Sequence, residues 1–426
     1  MSLPSRVLHV ITGLGVGGAE QQLRLMLRHL PMGCDVVTLT NPGAVADGLR
    51  ADGVRVRHLG MRGNRDLAAL PRLVRLMRDG GYDLVHTHLY RACVYGRLAA
   101  RLAGVRHVVA TEHSLGDAAI EGRPLTAGTR GLYLATERLG GATVAVSVTV
   151  ADRLRAWGVP GDRIHVVRNG IDAARFRYDP EVRAAARVRL GLSADATVVG
   201  GVGRLVPGKR FDRLVRACAA QPGVRLLLVG DGPERARLLR LARDLGAADR
   251  VLLPGECGGA VAPAAPAAPA EAESGAGVLS LPHLFAAMDL FVSPSTEEAF
   301  GLSVLEALAA GLPVLHVTCP AVDDVPGSEA PGAYRVGAET DRLTAALRVH
   351  LAAGHGRLPV PPVVRRYDIA RSAERLTDVY AGLAGPGPVE PAPGLVRPDA
   401  GRLTAWIPGA SVPPHAAGVN RRRGAL

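Results

Sequence analysis

The sequence predicts an α/β protein made of two doubly wound, parallel-sheet domains that face each other across a cleft. Three observations lead there. Short apolar runs alternate with segments of helical period over residues 6–167, and the same alternation returns over 197–317. The 426 residues leave room for two or three domains at roughly 150 residues each. The glycine-rich and charged motifs all fall just past apolar runs, the strand ends where open α/β sheets bind ligands.

In the first block, strands are expected at Arg6–Ile11, Asp35–Leu39, Val54–His58, Asp83–His86, Arg106–Ala110, Thr143–Val146 and Ile164–Val167. Helices are expected at Arg65–Arg78 and Leu89–Leu102, and the stretch Gln21–Leu30 is amphipathic. The second block has expected strands at Thr197–Gly201, Arg225–Val229, Arg250–Leu253, Leu290–Val292 and Val314–Val317. Its helices are expected at Arg210–Ala220, Glu234–Leu245, Leu281–Met288 and Ser303–Ala309. Ile171–Leu192 joins the blocks, and the helix-period segment Ile369–Leu383 ends the folded part. Residues 258–277 form an Ala/Pro/Glu/Gly insert with no periodicity, expected as a mobile loop. From residue 385 the chain is rich in proline and glycine and ends Arg-Arg-Arg-Gly-Ala-Leu. It has too little apolar surface to order itself and is expected as a disordered tail.

Composition excludes several classes. With 48% hydrophobic and 21% charged residues the chain has ample material for two cores. No uncharged apolar run approaches the ~18 residues of a membrane span. Val7–Ala19 follows Arg6 as a signal peptide would, but its glycines and the amphipathic stretch after it read as strand, turn and helix. Five scattered cysteines without a CxxC pair give neither a disulfide framework nor a zinc site, which fits a reducing, cytoplasmic setting. The net charge is +12, yet aromatic residues are only 4% and no basic run exceeds Arg421–Arg423, so a nucleic-acid partner is not expected. Among 51 basic residues Lys209 is the single lysine, against a bias that reads as GC-rich coding; its retention points to a task.

Four motifs carry chemistry. After the first strand, Gly13, Gly15 and Gly18 fit the GxGxxG spacing that packs a helix N-terminus against a diphosphate. A nicotinamide enzyme would also need an acidic residue at the end of the second strand, where this chain has Thr40-Asn41. The second block opens with Gly203-Arg204-Leu205-Val206-Pro207-Gly208-Lys209-Arg210. There Arg204 and Lys209 can meet one diphosphate, as a planar fork and a compact point charge, while Arg210 reads as a solvated turn residue. In Pro294–Leu302 and on to Glu306, a carboxylate at a strand end (Glu298) is followed eight residues later by one on the next helix (Glu306). The Gly301 and Leu302 amides at that helix N-terminus can donate to phosphate, and Glu297 reads as an ordinary first-turn acid. Finally, His86, His88 and His113 lie near strand ends. His-x-His alone shows no third metal ligand, His86 reads as a structural histidine, and His9 as core packing.

Taken together, these segments resemble the retaining glycosyltransferases of family 4, whose GT-B fold is two facing Rossmann-like domains. The resemblance runs from about Arg6 to Leu383. It rests on Gly15–Glu20, Thr111–Ser114, Val167–Asp172, Val202–Lys209, Val229–Pro233 and the Glu298/Glu306 pair, in that order. It implies an N-terminal acceptor-binding domain over 1–172 and a nucleotide-sugar-binding domain over 173–366. A helix over 367–384 would cross back to the first domain, with the tail at 385–426.

The resemblance also implies roles. Arg204 and Lys209 would hold the donor diphosphate, Glu298 the sugar hydroxyls and Glu306 the ribose. Gly17, Gly18, Gly301 and Leu302 would line the diphosphate, and His113 would reach the transferred sugar. Glu20 and His88 would stand on the acceptor side. No cofactor or metal is implied beyond the nucleotide-sugar co-substrate, a UDP-sugar, and the acceptor would be a glycan, a lipid-linked molecule or a small metabolite. Basic helices such as Arg65–Arg78, with Arg65, Arg72, Arg75 and Arg78 near one face, dock relatives on anionic membranes; a solvated face over a core stripe is the plainer reading. The chain departs from the family in the insert at 258–277 and in Cys319–Asp324, which replaces a Gly-Gly…Pro-Glu turn. A non-catalytic or epimerase-type sugar-nucleotide-binding protein of the same fold is the alternative, with a nicotinamide oxidoreductase behind it.

Overall fold

The computed structural model describes residues 3–64, 66–116, 119–121, 123–257, 279–354 and 356–384. The insert at 258–277, the tail from 385 and Arg65 lie outside the described residues. In chain order the strands of the first half are β1 (Arg6–Ile11), β2 (Gly33–Thr38), β3 (Arg55–His58), β4 (Leu84–His88), β5 (His107–Glu112), β6 (Ala119–Ile120), β7 (Arg123–Pro124), β8 (Ala142–Ala145) and β9 (Ile164–Val166). The second half has β10 (Thr197–Val202), β11 (Val224–Val229), β12 (Val251–Gly255), β13 (Leu290–Ser293), β14 (Val314–His316) and β15 (Ala333–Arg335). β6 and β7 pair as a small antiparallel hairpin. The others form two parallel sheets, ordered β3-β2-β1-β4-β5-β8-β9 and β12-β11-β10-β13-β14-β15.

The strands are apolar because helices cover both faces of each sheet, so both side-chain faces are buried. β4 (Leu-Val-His-Thr-His) is buried at every residue. In each sheet the winding reverses direction between two neighbouring strands, β1 and β4 in the first, β10 and β13 in the second. A crevice opens at the carboxyl ends of strands at such a switch point. Residues 13–20 follow β1, 203–209 follow β10 and 294–306 follow β13, so all three charged or glycine-rich motifs sit at the switch points.

The two halves are laced together. The Ile171 amide donates to the Tyr367 carbonyl at 2.8 Å and the Ile369 amide returns to the Ile171 carbonyl at 3.2 Å. From there the helix Ile369–Ala384 packs Ile369, Ala373, Leu376, Val379 and Tyr380 into the core of the first sheet beside Val7, Ile11 and Val109. The hairpin and the edge strand β15 were not legible in the sequence: two or three residues are too few for a period, and Tyr334 and Arg335 are exposed.

The basic helix begins later than its pattern suggested, at Ala69, and runs to Gly80. Ala69, Leu73, Val74 and Met77 form its buried stripe. Of its arginines, Arg72 donates to the Leu59 carbonyl at 3.0 Å and Arg78 to the Leu102 carbonyl at 2.7 Å. Among the described residues no helix is long and apolar enough to cross a membrane.

Candidate functional site

The loop after β10 gets its shape from β11. The Gly203 amide donates to the Val229 carbonyl at 3.0 Å, and the Leu205 amide to the Asp231 carbonyl at 2.8 Å. At Gly230, φ is +135° and a Cβ would be driven into the Gly203 carbonyl oxygen, so only glycine lets the two loops approach this closely. The Val-Gly-Asp-Gly-Pro motif is thus the bracket that holds the Arg204 loop. Arg204 leaves it exposed, while Lys209 turns inward. Arg210 is spent locally in a fork on the Asp212 carboxylate, at 3.0 and 3.1 Å.

Lys209 Nζ forms an ion pair with Glu298 Oε1. The two residues that sequence reasoning assigned to one donor molecule therefore lie side by side, in a half-buried setting with the Glu298 side chain 12% exposed. Glu298 sits on the turn between β13 and the helix Leu302–Ala309. Gly301 caps that helix at φ +102°, a left-handed conformation in which a Cβ would be driven into Cys319 Sγ. Cys319–Asp324 is the floor of this turn. The Ala321 amide donates to the Phe300 carbonyl at 2.9 Å, and Cys319 Sγ lies 3.5 Å from the same oxygen. The Gly301 carbonyl takes the Val304 and Leu305 amides, at 3.1 and 3.4 Å, leaving those of Leu302 and Ser303 as the N-terminal donors of the helix.

The first half closes on this from the other side. A Cβ on Gly18 would lie 3.5 Å from Leu302 Cδ1, which puts the glycine loop in van der Waals contact with the helix N-terminus. Thr40 and Asn41, at the position where a nicotinamide enzyme carries an acid, brace this loop instead: Thr40 Oγ1 donates to the Thr12 carbonyl at 2.6 Å and the Leu14 amide to the Asn41 carbonyl at 2.8 Å. Glu20 folds back over Gly17 in the first turn of its helix. Burial pushes its carboxyl up to about 7, opposed by the Arg204 guanidinium across the cleft and reinforced by Glu121. Glu306 is similarly pushed up to about 7 by burial, with Arg175 as the opposing cation. Arg175 lies in the linker turn Ala173–Phe176 and carries no motif, so sequence reasoning missed it. Cys257, the last described residue before the insert, has its thiol raised to about 12 by burial and then by the Glu306 carboxylate.

Alternation along β5 divides Thr-Glu-His-Ser into two jobs. Glu112 faces Cys93, Arg97 and Tyr133, and burial pushes its carboxyl up to about 7 against the Arg97 charge. Thr111 and His113 face the other way. On that face His113 Nε2 lies 3.1 Å from His88 Nδ1, and His88 Nε2 lies 3.0 Å from His9 Nδ1. His88 is 4% exposed with both nitrogens engaged, so it stands behind His113. His86 is satisfied by the Tyr380 and Thr111 hydroxyls, both at 2.6 Å. His9 joins His86 and His88 with ring nitrogens within 4.8 Å, a third histidine that the spacing of His-Thr-His did not reveal. The facing His9 and His88 nitrogens stand at hydrogen-bond distance. Arg153, also missed, reaches from the first half to the Leu115 carbonyl at 3.0 Å and the Glu298 carbonyl at 3.3 Å, tying the His113 loop to the Glu298 loop.

Comparisons with known proteins agree with this arrangement. The family model described as Glycosyltransferase Family 4 matches residues 16–175. Two models described as Glycosyl transferases group 1 match 182–262 and 274–352, on either side of the insert. A GDP-mannose-dependent alpha-mannosyltransferase of Mycobacterium tuberculosis is 32% identical over 314 residues, 70% of this chain and 75% of that one. A D-inositol 3-phosphate glycosyltransferase of Acidothermus cellulolyticus is 35% identical over 272 residues, 58% of this chain; the chain spans about half of that relative's length, 55%. Among solved structures, Anabaena Alr3699/HepE in complex with UDP-glucose superposes with a TM-score of 0.74 at 21% identity, covering 88% of this chain and 99% of that one. Sucrose-phosphate synthase from Thermosynechococcus elongatus follows at 0.68 and 21%, covering 89% and 99%. With two doubly wound sheets meeting at their switch points and three glycosyltransferase models spread along it, the chain belongs to the family-4 glycosyltransferases of GT-B fold.

Proposed function

We propose that this protein is a retaining glycosyltransferase. It moves a sugar from a nucleotide-sugar donor, with a UDP-sugar as the first candidate, to a hydroxyl of a glycan, lipid-linked or small-metabolite acceptor, without a metal cofactor. The observation that supports it is the Lys209–Glu298 pair at the mouth of the Leu302–Ala309 helix. An ammonium group has three donors; one stays on Glu298 and the others turn to the donor diphosphate. Exposed Arg204 adds a fork, and the helix amides add fixed dipoles. Together they stabilise the negative charge on the departing nucleoside diphosphate, the work a divalent ion would otherwise do.

Glu298 accepts hydrogen bonds from the sugar hydroxyls and faces the positive charge that develops at the anomeric carbon. In the step itself the bond from that carbon to the phosphate oxygen breaks, and the acceptor oxygen bonds on the same face. The acceptor's proton passes to the departing phosphate oxygen, so no side-chain base is required. His113 hydrogen-bonds the transferred sugar.

Glu306 takes the ribose hydroxyls, and this makes donor binding pH-dependent. Its carboxyl is raised to about 7 in the free protein, and the hydroxyls bind the ionised form. Nucleotide affinity therefore rises with pH through about 7 and levels off above it, by up to tenfold per pH unit below that point. Titration calorimetry from pH 5.5 to 8.5 reads the slope, and Glu306→Gln flattens it. An equally steep profile in that variant would remove Glu306 from the ribose.

The assay for the reading as a whole supplies UDP-, GDP- and ADP-sugars in EDTA and follows nucleoside diphosphate release with an acceptor panel, with the anomeric configuration of the product read by NMR. Retention without added metal is expected. Inversion, or dependence on a divalent ion, would contradict it. A GDP-linked donor is the second reading, favoured by the 32%-identical relative whose name carries GDP-mannose.

A further inference from the structure

We propose that His9 and His88 are positioning residues: with His113 they form a chain of three imidazoles, closed at its buried end, which fixes the ring nitrogen on which His113 carries its proton. The inference rests on the reading that His113 faces the donor sugar.

Strand register brings the three rings together. His9 lies beside His86 and His88 beside Thr111 on neighbouring parallel strands, and His113 follows Thr111 by two residues. Alternation then puts all of them on one face of the sheet. Two contacts result, His9 Nδ1 with His88 Nε2 at 3.0 Å and His88 Nδ1 with His113 Nε2 at 3.1 Å. A neutral imidazole has one N–H and one lone pair, so each ring donates through one nitrogen and accepts through the other. Choosing the direction of either bond therefore fixes the whole chain. Either every ring is protonated on Nδ1 and His113 Nδ1 offers a donor, or every ring is protonated on Nε2 and His113 Nδ1 offers a lone pair.

Interconversion needs a proton to enter at one end and another to leave at the other. His113 Nδ1 and His9 Nε2 are those ends, and both are buried without a protein partner among the described residues. His9 is 0% exposed, so its end has no outlet. The remaining route is to add a proton and make an imidazolium. Burial opposes it along the chain: His113 is lowered to about 4 and His9 to about 3, and His88 is lowered further by its histidine neighbours. The other titratable groups on this face are His86 and Tyr380, which hydrogen-bond each other, and Cys34, which acts on Tyr380. Glu112 is on the opposite face with Arg97. Among the described residues no carboxylate acts on His9, His86, His88 or His113. His113 therefore holds one tautomer and is unsuited to shuttling protons.

The test is NMR of 15N-labelled imidazoles in the ligand-free, full-length protein from about pH 5 to 8, the range in which an ordinary histidine titrates. A single His113 tautomer with constant shifts is expected. His113 titrating near 6.5, or exchanging between tautomers, overturns the proposal. Because this measurement needs no substrate, it stands even if the sugar-transfer reading fails. In the His88→Ala protein, His113 is expected to exchange between its two tautomers, and kcat/KM to fall roughly tenfold, the scale of one lost hydrogen bond. His88→Asn, which restores a partner to His113 Nε2, is expected to restore a single tautomer and most of the activity. A fall in activity with an unchanged tautomer and pH profile would make His88 merely structural. Zinc binding at one equivalent to wild type, lost in His86→Ala, would also overturn the proposal, because the nitrogens would then be ligands.

Discussion

Glu298→Gln lowers sugar transfer by about 10²–10³-fold, the scale of losing one preorganised electrostatic contact in the transition state, and leaves nucleotide binding intact or tighter. Two consequences of the Lys209–Glu298 pair combine here. Without its charge the side chain no longer faces the developing positive anomeric carbon, so the loss appears in kcat. The amide oxygen still accepts from Lys209, so the ammonium is not stranded, and its charge is freed for the diphosphate. Steady-state kinetics beside calorimetry of the nucleoside diphosphate separate the two. A variant with normal turnover would remove Glu298 from the chemistry. A wild-type protein that binds nucleotide sugars without ever turning them over would be a sensor of the same fold.

Gly301→Ala damages both stability and donor binding. The residue sits at φ +102°, and a Cβ would be driven into buried Cys319 Sγ. Left-handed strain and overpacking together cost about 2–4 kcal/mol. A melting temperature lower by about 5 °C or more is expected, because 1 kcal/mol is worth about 2–4 °C in domains of this size. The shift turns the first amides of the Leu302–Ala309 helix away from the diphosphate, so nucleotide affinity falls with stability. Adding Cys319→Ala removes the clash and leaves the backbone strain, and partial recovery is expected. No recovery would place the whole cost in the backbone. The contacts of Cys319–Asp324 run to the Phe300 carbonyl beneath the helix mouth.

What could be read in advance follows from how local each feature is. Lys209, Glu298 and Glu306 lie within a few residues of apolar runs, so strand-end logic found them, and the ion pair then showed the first two side by side. The histidine chain needed the register of β1 against β4 and of β4 against β5, which no local pattern encodes; His9 alone reads as core. Arg153 and Arg175 act across the joint between the halves, and in a chain with so many arginines neither stands out. The spacing of Arg72 and Arg78 left a solvated face and a membrane-facing stripe both open, and the structure adds one carbonyl partner for each, on Leu59 and Leu102, that no local pattern encodes.

Calorimetric binding of UDP, GDP, ADP and NAD to wild type and Lys209→Ala, in EDTA, asks whether Lys209 holds a nucleoside diphosphate at this cleft. One nucleoside diphosphate is expected to bind without metal, and Lys209→Ala to weaken it by about 1.5–3 kcal/mol, the scale of a charge-assisted hydrogen bond. UDP is the expected ligand; GDP in its place would change the base and leave the site. Binding of NAD alone, or nucleotide binding indifferent to Lys209, would remove the diphosphate from Lys209.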